Sequence, residues 1–246
     1  MSSPKQNIEG QKLGFYMTPE HECSYLPGKK AITMFADPNF SMNGNIYSAL
    51  SSQGFRRSGK HVYKPQCRQC NACIAVRLSV DKFSRNRNQK RNWTRNNDLK
   101  IIKTSAQFDS EHYRLYERYL AVRHPDSGMD NPDPENYMSF LKTEWATTVF
   151  YEFREADKLL AVAVVDELAD GLSAVYTFYD PNDVNRSLGR YAILTEIEIA
   201  RNEGLHWLYL GYWIADCAKM QYKDEYQPLE YFYDNAWHDS LPEDAD

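Results

Sequence analysis

Nothing in this 246-residue chain is apolar for long enough to cross a bilayer: the longest apolar run, Leu159 to Val165, falls far short of the roughly 20 residues a spanning helix needs. Cysteine is scarce. The chain has five, four of them in the first third, which is the wrong count and distribution for a secreted disulfide framework and directs attention to thiols or a metal. The six histidines are scattered without ligand or triad spacing and receive no role. The stretch from Met1 to Gly10 has neither a basic n-region nor an apolar h-region, so a signal peptide is not expected. These absences predict a cytoplasmic protein without a membrane partner. No internal repeat or low-complexity segment is evident.

Charge, by contrast, is sorted along the chain. Between Gly54 and Lys103 stand fourteen Lys or Arg against only Asp81 and Asp98, a net +12 inside a chain whose total is −5, so the remainder carries −17. A block this basic in an acidic protein points to one polyanionic partner met by one face, because Lys and Arg bind phosphate by counterion release while the acidic remainder repels nucleic acid. A solvated charged surface is the bland alternative. Interleaved Phe55, Tyr63, Phe83 and Trp93 are the wrong composition for a disordered basic tail.

Turn punctuation is dense in the first hundred residues, at Pro27-Gly28, Asp37-Pro38, Asn43-Gly44, Gly54, Ser58-Gly59 and Lys64-Pro65, and the elements between are short. Ile46 to Leu50 reads as a small helix, Ile74 to Val80 alternates as a strand, and Arg85 to Asn97 reads as a basic turn or short helix. From Phe108 the elements lengthen. A helix capped by Asp109 or Ser110 runs to about Val122 with Leu115, Tyr119 and Val122 on one face; a Pro-rich loop from His124 to Asp133 ends it. Asp133 caps the next helix with Pro134 in first position, turning Tyr137, Phe140 and Leu141 inward. Strands at Thr147–Phe153, Leu159–Val165 and Leu172–Tyr179 make an antiparallel meander. Ser187 opens a helix with the stripe Ile193, Leu194, Ile197 and Ala200, Gly204 stops it, and Leu205–Trp213 is the last strand. The class is α+β, divided after residue 103 into a small Cys-containing N-terminal domain (1–103) and a C-terminal domain (104–246) with a mixed, mainly antiparallel sheet.

Several constellations carry chemistry. Cys67, Cys70 and Cys73, at C-x-x-C-x-x-C, with Cys23 from a neighbouring loop, offer soft thiolates suited to zinc or an iron-sulfur cluster; small buried cysteines packing a loop-rich domain are the alternative. Cys217 stands alone and reads as a core or site-lining residue. Gly54-Phe55-Arg56-Arg57-Ser58-Gly59 places two guanidiniums in a glycine-bounded turn, a receptor for a carboxylate or phosphate, with Arg77 at a strand end as a weaker third; surface salt bridging explains the same residues blandly. Arg85, Arg87, Lys90, Arg91 and Arg95 are the candidate phosphate contacts. Arg186 and Arg190 flank a helix N-terminus that favours an anion, or merely an ordinary cap. The layout there resembles the acetyltransferase superfamily (GNAT), whose R-x-x-G-x-G/A turn cradles a coenzyme pyrophosphate, but Tyr191 occupies the third motif position. Late in the chain Tyr176, Tyr179, Tyr212 and Asp216 lie at strand ends, where they either surround a site or, as aromatics on a meander often do, fill a core.

Taken together, Glu22-Cys23-Ser24-Tyr25-Leu26-Pro27, the 54–59 turn, Tyr63-x-Pro65-x-Cys67-x-x-Cys70-x-x-Cys73 and Gly211-Tyr212-Trp213-Ile214 resemble the arginyl-tRNA–protein transferase family, and its bacterial branch in particular. The resemblance spans nearly the whole chain. It implies an acetyltransferase-like C-terminal domain and transfer of an aminoacyl group from charged tRNA, rather than any DNA partner, to the α-amino group of proteins beginning with Asp or Glu, marking them for degradation by the N-end rule. The bacterial branch implies leucyl-tRNA as donor. On that basis Arg56, Arg57 and Arg77 would bind the acceptor, the basic residues of 85–95 with Arg186 and Arg190 would bind tRNA, and Tyr176, Tyr212 and Asp216 are the catalytic candidates. An aminoacyl ester is already activated, so the chemistry requires no cofactor. Two rivals remain: an acetyltransferase using acetyl-CoA, which Tyr191 opposes, and a non-catalytic zinc-dependent RNA-binding protein, which would leave the C-terminal sheet without a purpose.

Overall fold

The structure, a computed structural model, describes residues 12–123 and 133–242. Its first part is a run of short elements: β1 (Phe15–Met17), β2 (His21–Glu22), β3 (Lys30–Ala31), β4 (Thr33–Ala36), α1 (Gly44–Ser51), β5 (Arg56–Ser58) and β6 (His61–Pro65). β2 and β3 pair with each other, and the rest form an antiparallel sheet in the order β1-β4-β6-β5. Asn43 caps α1 by accepting the Ile46 amide at 3.0 Å.

The second part is longer: β7 (Ile74–Ser79), α2 (Arg87–Arg95), β8 (Lys100–Ser105), α3 (Ser110–Arg123), α4 (Pro134–Leu141), β9 (Thr147–Glu155), β10 (Lys158–Glu167), β11 (Gly171–Tyr179), α5 (Leu188–Asn202), β12 (Trp207–Trp213), α6 (Ala218–Gln221), β13 (Leu229–Tyr233) and β14 (Ala236–His238). Its strands form one eight-stranded sheet, β14-β13-β7-β12-β11-β10-β9-β8, in which β11 and β12 are parallel and every other pair is antiparallel. The α+β class and the mixed sheet agree with the sequence reading.

β10 reads as an unbroken apolar run because both its faces are covered. Leu160, Ala161, Ala163 and Val165 pack with the α5 stripe, while Leu159, Val162 and Val164 pack with Leu115, Tyr116 and Leu120 of α3 and Tyr137 and Leu141 of α4. Asp133 and Pro134 start α4 as expected. On α3, however, Val122 is exposed, and the inward face is His112, Leu115, Tyr116 and Leu120.

The division expected after residue 103 does not coincide with a sheet boundary. β7 lies in the middle of the large sheet between β12 and β13, and β8 forms its far edge. The small sheet in turn closes its core on the large one: Tyr47, Phe55 and Val62 pack with Leu168 and Tyr209. A sheet this small has too little apolar area of its own, so it borrows a face. Ser187 also differs from expectation. It sits in the left-handed region (φ 49°) after a single 3-10 turn, Val184–Arg186, and makes no side-chain cap bond.

Candidate active site

β11 and β12 pair over three residues only, Gly171–Ser173 against Trp207–Tyr209, although β11 runs on to Tyr179 and β12 to Trp213. Where the ladder stops, backbone carbonyls lose their partners and need others. Arg56 supplies them: its guanidinium donates to Ser173 Oγ at 2.8 Å, to the Tyr209 carbonyl at 3.3 Å and to the Ala174 carbonyl. A bulge between Tyr209 and Gly211 opens the strand, and Gly211, at φ +83°, leaves room that a Cβ would take, 3.2 Å from Arg56 Nε. Arg56 thus fills the wedge between two diverging parallel strands. Among the described residues it has no carboxylate in ion-pair contact.

Its neighbour behaves oppositely, because consecutive strand residues point to opposite faces. Arg57 is fully buried and closes its fork on Asp166, Nε to Oδ2 at 2.5 Å and Nη2 to Oδ1 at 2.7 Å, and donates to the Leu141 carbonyl at 2.8 Å. Thr148 and Tyr47 donate to the same carboxylate at 2.7 and 3.0 Å. Arg57 therefore locks the small sheet onto β10, β9 and α4, and the carboxylate it meets belongs to the chain. Arg77 is likewise taken: Glu230 accepts from it at 2.7 Å, and its guanidinium lies between Trp207 and Trp237, 3.6 and 4.3 Å from the ring centres. Of the three predicted acceptor-binding arginines, only Arg56 lacks an internal carboxylate.

Around the wedge lie groups that the sequence reading passed over. Glu196 is 1 % exposed and neither of its oxygens has a hydrogen-bond partner among the described residues. Burial pushes its carboxyl up to about 8, against the opposing pull of Arg56. Lys223, 4 % exposed, donates to the Tyr212 carbonyl at 2.5 Å and is pushed down to about 7 by burial and then by Arg56. The Tyr222 phenol is raised to about 12 by burial and then by Glu196, while 39 % of the residue remains exposed. A signal for Glu196 did exist: it falls within the α5 stripe, three residues after Ile193 and four before Ala200, where a carboxylate has no business in an apolar core.

The three catalytic candidates are not brought together. Tyr176 joins an aromatic group with Tyr116, Tyr119 and Phe140, where burial raises its phenol and its hydroxyl has no hydrogen-bond partner among the described residues. The Tyr212 hydroxyl instead donates to the carbonyls of Gly54 and Tyr63 at 3.0 and 3.2 Å, bracing the small sheet. Asp216 is exposed on the turn before α6.

The basic block also divides. Arg87, Lys90, Arg91, Thr94 and Arg95 line one surface hollow, at the i, i+3, i+4, i+7, i+8 spacing of a single face of α2. The opposite face is amide-rich and docked: Gln89 donates to the Glu225 carbonyl, and Asn92 and Asn96 to that of Arg186, all within 2.9 Å. Arg85 does not join the exposed face; it stacks 3.8 Å over Trp93 and pairs with Glu198 at 2.9 Å. Arg186 is held by Asp98, Glu155 and Asp183, and Arg190 by Glu225, so neither is a free phosphate contact.

The five cysteines share one region. Cys23, Cys70, Cys73 and Cys217 pack with Leu26 and Ile214, and Cys73 is pushed up to about 12 by burial and then by Cys67, Cys23, Cys70 and Cys217. Cys217, alone in sequence, is thus part of the group. Cys23 Sγ accepts the amides of Tyr25 and Leu26 at 3.5 and 3.4 Å. Among the described residues no three Cys, His, Asp or Glu side chains stand in a metal-holding arrangement as placed.

Comparison with known proteins gives a consistent picture. Residues 21–91 match the family model described as "Arginine-tRNA-protein transferase, N terminus", and residues 111–233 match its "C terminus" counterpart. The chain is 52 % identical over 225 residues to an aspartate/glutamate leucyltransferase of Hahella chejuensis, covering 92 % of this chain and 96 % of that one. It is 49 % identical over 226 residues to that of Pseudomonas aeruginosa strain LESB58, with the same coverage of 92 % and 96 %. Among solved structures, L-PGS from Bacillus licheniformis is similar at 10 % identity and a TM-score of 0.47, covering 58 % of this chain and 47 % of the other.

Proposed function

Because the chain belongs to the arginine-tRNA-protein transferase family, we infer that it is an aminoacyltransferase moving leucine from leucyl-tRNA to the α-amino group of proteins that begin with Asp or Glu. The observation that carries the acceptor side of this reading is Arg56. Among the described residues it is the one guanidinium of the predicted three without an internal carboxylate, and it sits where two parallel strands stop pairing. An acidic first residue would bring the missing carboxylate to it.

The donor side rests on α2. Its exposed basic face suits the phosphates of tRNA, and its amide face is bonded to the turns at 184–187 and 222–225, the second of which carries Tyr222, within electrostatic reach of Glu196 and Arg56. A tRNA held on α2 therefore has its recognition surface tied to the site of transfer. The chemistry is aminolysis of an ester. The amine nitrogen attacks the leucyl carbonyl carbon, the bond to the ribose oxygen breaks, and that oxygen leaves with one of the amine protons. The ester is already activated, so positioning dominates, and the attacking amine must first be neutral. α-Amino groups titrate at about 7.7 to 8.0, which makes the neutral form accessible.

Two further parts of the reading rest on the family to which the chain belongs. The modified proteins become substrates of N-end rule degradation, and the enzyme works in the cytoplasm, where charged tRNA is available; among the described residues no helix is long and apolar enough to cross a membrane. The thiols of Cys23, Cys67, Cys70 and Cys73 are proposed to take zinc or an iron-sulfur cluster as a structural element. What supports this is the packing of Cys23, Cys70 and Cys73 in one cluster, with Cys67 near enough to act on Cys73, and the amide bonds to Cys23; loading requires the thiols to turn toward one another. The ion would organise the 23–32 and 66–73 loops and takes no part in the transfer.

The test is transfer of labelled leucine from leucyl-tRNA to peptides starting with Asp, Glu and Ala. Labelling of the first two and not the third is expected. Equal labelling of all three would remove the acidic-acceptor reading, and no labelling of any would remove the transferase itself.

A further inference from the structure

The acceptor has a second charge to be recognised, its α-ammonium, and nothing described so far receives it. A protein that reads an N-terminal residue needs a negative group close to the carboxylate receptor. The wedge holds one candidate. Glu196 projects from α5 within the electrostatic reach of Arg56, is almost wholly buried, and has both oxygens unpartnered among the described residues. Buried carboxylates are normally paired, because an unpaired one forfeits its hydration without return. In this chain the other buried carboxylate at the junction of the two sheets, Asp166, follows that rule with Arg57, Thr148 and Tyr47 around it. Glu196 does not.

We propose that Glu196 is the receptor and proton acceptor for the α-ammonium of the acceptor protein, forming with Arg56 a site for the two opposite charges of an N-terminal acidic residue. The assignment rests on the acceptor reading above and names a catalytic residue within it. In the step, the α-ammonium gives one proton to Glu196, and the lone pair released attacks the leucyl ester. The second proton leaves with the ribose oxygen as the carbon–oxygen bond breaks, and Glu196 returns its proton to solvent. Overall, one ammonium and one ester become one amide, one hydroxyl and one proton.

The titration of the groups agrees with this geometry. In the free protein burial holds the Glu196 carboxyl at about 8, so it is mostly protonated at neutral pH; an α-ammonium brought beside it favours the carboxylate, and because α-amino groups themselves titrate at about 7.7 to 8.0 the proton then passes between the two with little driving force. Arg56 is the cation that acts on it, and Tyr222 and Tyr226 are the phenols it acts on. Tyr222, on the 218–225 segment, feels Glu196 and is itself part exposed, so the carboxyl lies beneath a residue that reaches the surface.

The experiment uses Glu196→Gln in the full chain with wild type beside it. Gln matches the shape of the protonated carboxyl, so folding is retained. Expected is a fall of about 10²- to 10⁴-fold in kcat/KM for an Asp-starting peptide, the range for a lost general base. Binding of uncharged tRNA should be unchanged. Titration in the presence of uncharged tRNA supplies the readout that a merely structural role would not move: wild type should bind the free-amine peptide at least about tenfold more tightly than its N-acetylated form, one charge contact's worth, and Glu196→Gln should bind both alike. A variant that keeps kcat/KM within about threefold of wild type, or keeps the preference for the free amine, overturns the assignment. Wild type that transfers no leucine at all overturns instead the function on which the assignment rests.

Discussion

Replacing Arg57 by Ala and Arg56 by Ala should give opposite phenotypes, although the two residues are adjacent. Arg57→Ala leaves Asp166 buried without its cation, with only Thr148 and Tyr47 still donating to it. Breaking one side of a buried pair costs roughly 3–5 kcal/mol. In a domain of this size each kcal/mol lowers the melting temperature by about 2–4 °C, so a fall of roughly 6–20 °C is expected. Lys at 57 should restore little, since a point charge cannot reproduce the two-pronged bond to Asp166. Arg56 makes bonds to neutral acceptors beside the wedge, and its removal should cost no more than about 1–3 kcal/mol of stability. It should instead lose about 2–5 kcal/mol of acceptor recognition, roughly 30- to several-thousand-fold in kcat/KM for Asp- and Glu-starting peptides. Thermal unfolding followed by circular dichroism, together with leucine transfer measured well below each melting point, separates the two. If Arg57→Ala melts like wild type yet loses acceptor use, or if Arg56→Ala transfers leucine undiminished, the division of labour argued from the strand alternation is wrong.

Salt dependence tests the nucleic-acid face: Arg87→Ala and Arg91→Ala should each flatten the log–log slope of tRNA binding against salt by about 0.7 to 0.9, whereas Arg85→Ala, already paired with Glu198, should leave the slope alone. Elemental analysis of freshly isolated, reduced protein should find zinc or iron, and a chelator should lower the melting temperature; metal-free protein that melts identically with and without chelator shows that the cysteines only pack. Stability against pH probes Glu196, whose folded pKa of about 8 lies above its ordinary 4.5. The folded chain holds a proton that the unfolded chain has released, so this contribution is whole below about 4.5 and is lost as the pH rises to about 8. Glu196→Gln should accordingly melt with wild type at pH 4.5 and above it at pH 8, by up to about 4 kcal/mol; parallel curves across that range would mean the carboxyl is not held protonated.

Local rules carried much of this chain. The Asp133-Pro134 start and the Ile193–Ala200 stripe follow from interactions within a few residues and are observed, as are strands β7 and β10; β7, however, is buried at every position but Arg77 instead of alternating, because both faces of the large sheet are covered there. Charge sorting, too, is a property of the sequence alone, and the exposed face of α2 is where it concentrates. What no local rule reaches is which buried charge meets which partner. Arg57 and Asp166 are 109 residues apart, and Arg56 and Ser173 are 117. The motif that offered two equivalent arginines resolved into one brace and one free receptor only when strand alternation was set against a second sheet. Cys217 joined the other thiols, and Glu196 became an orphan beside Arg56, for the same reason: burial and electrostatic environment are created by elements distant in sequence closing on one another. Propensity and periodicity decide the elements, but the energy of a buried charge depends on what surrounds it in space, and only the tertiary structure supplies those surroundings.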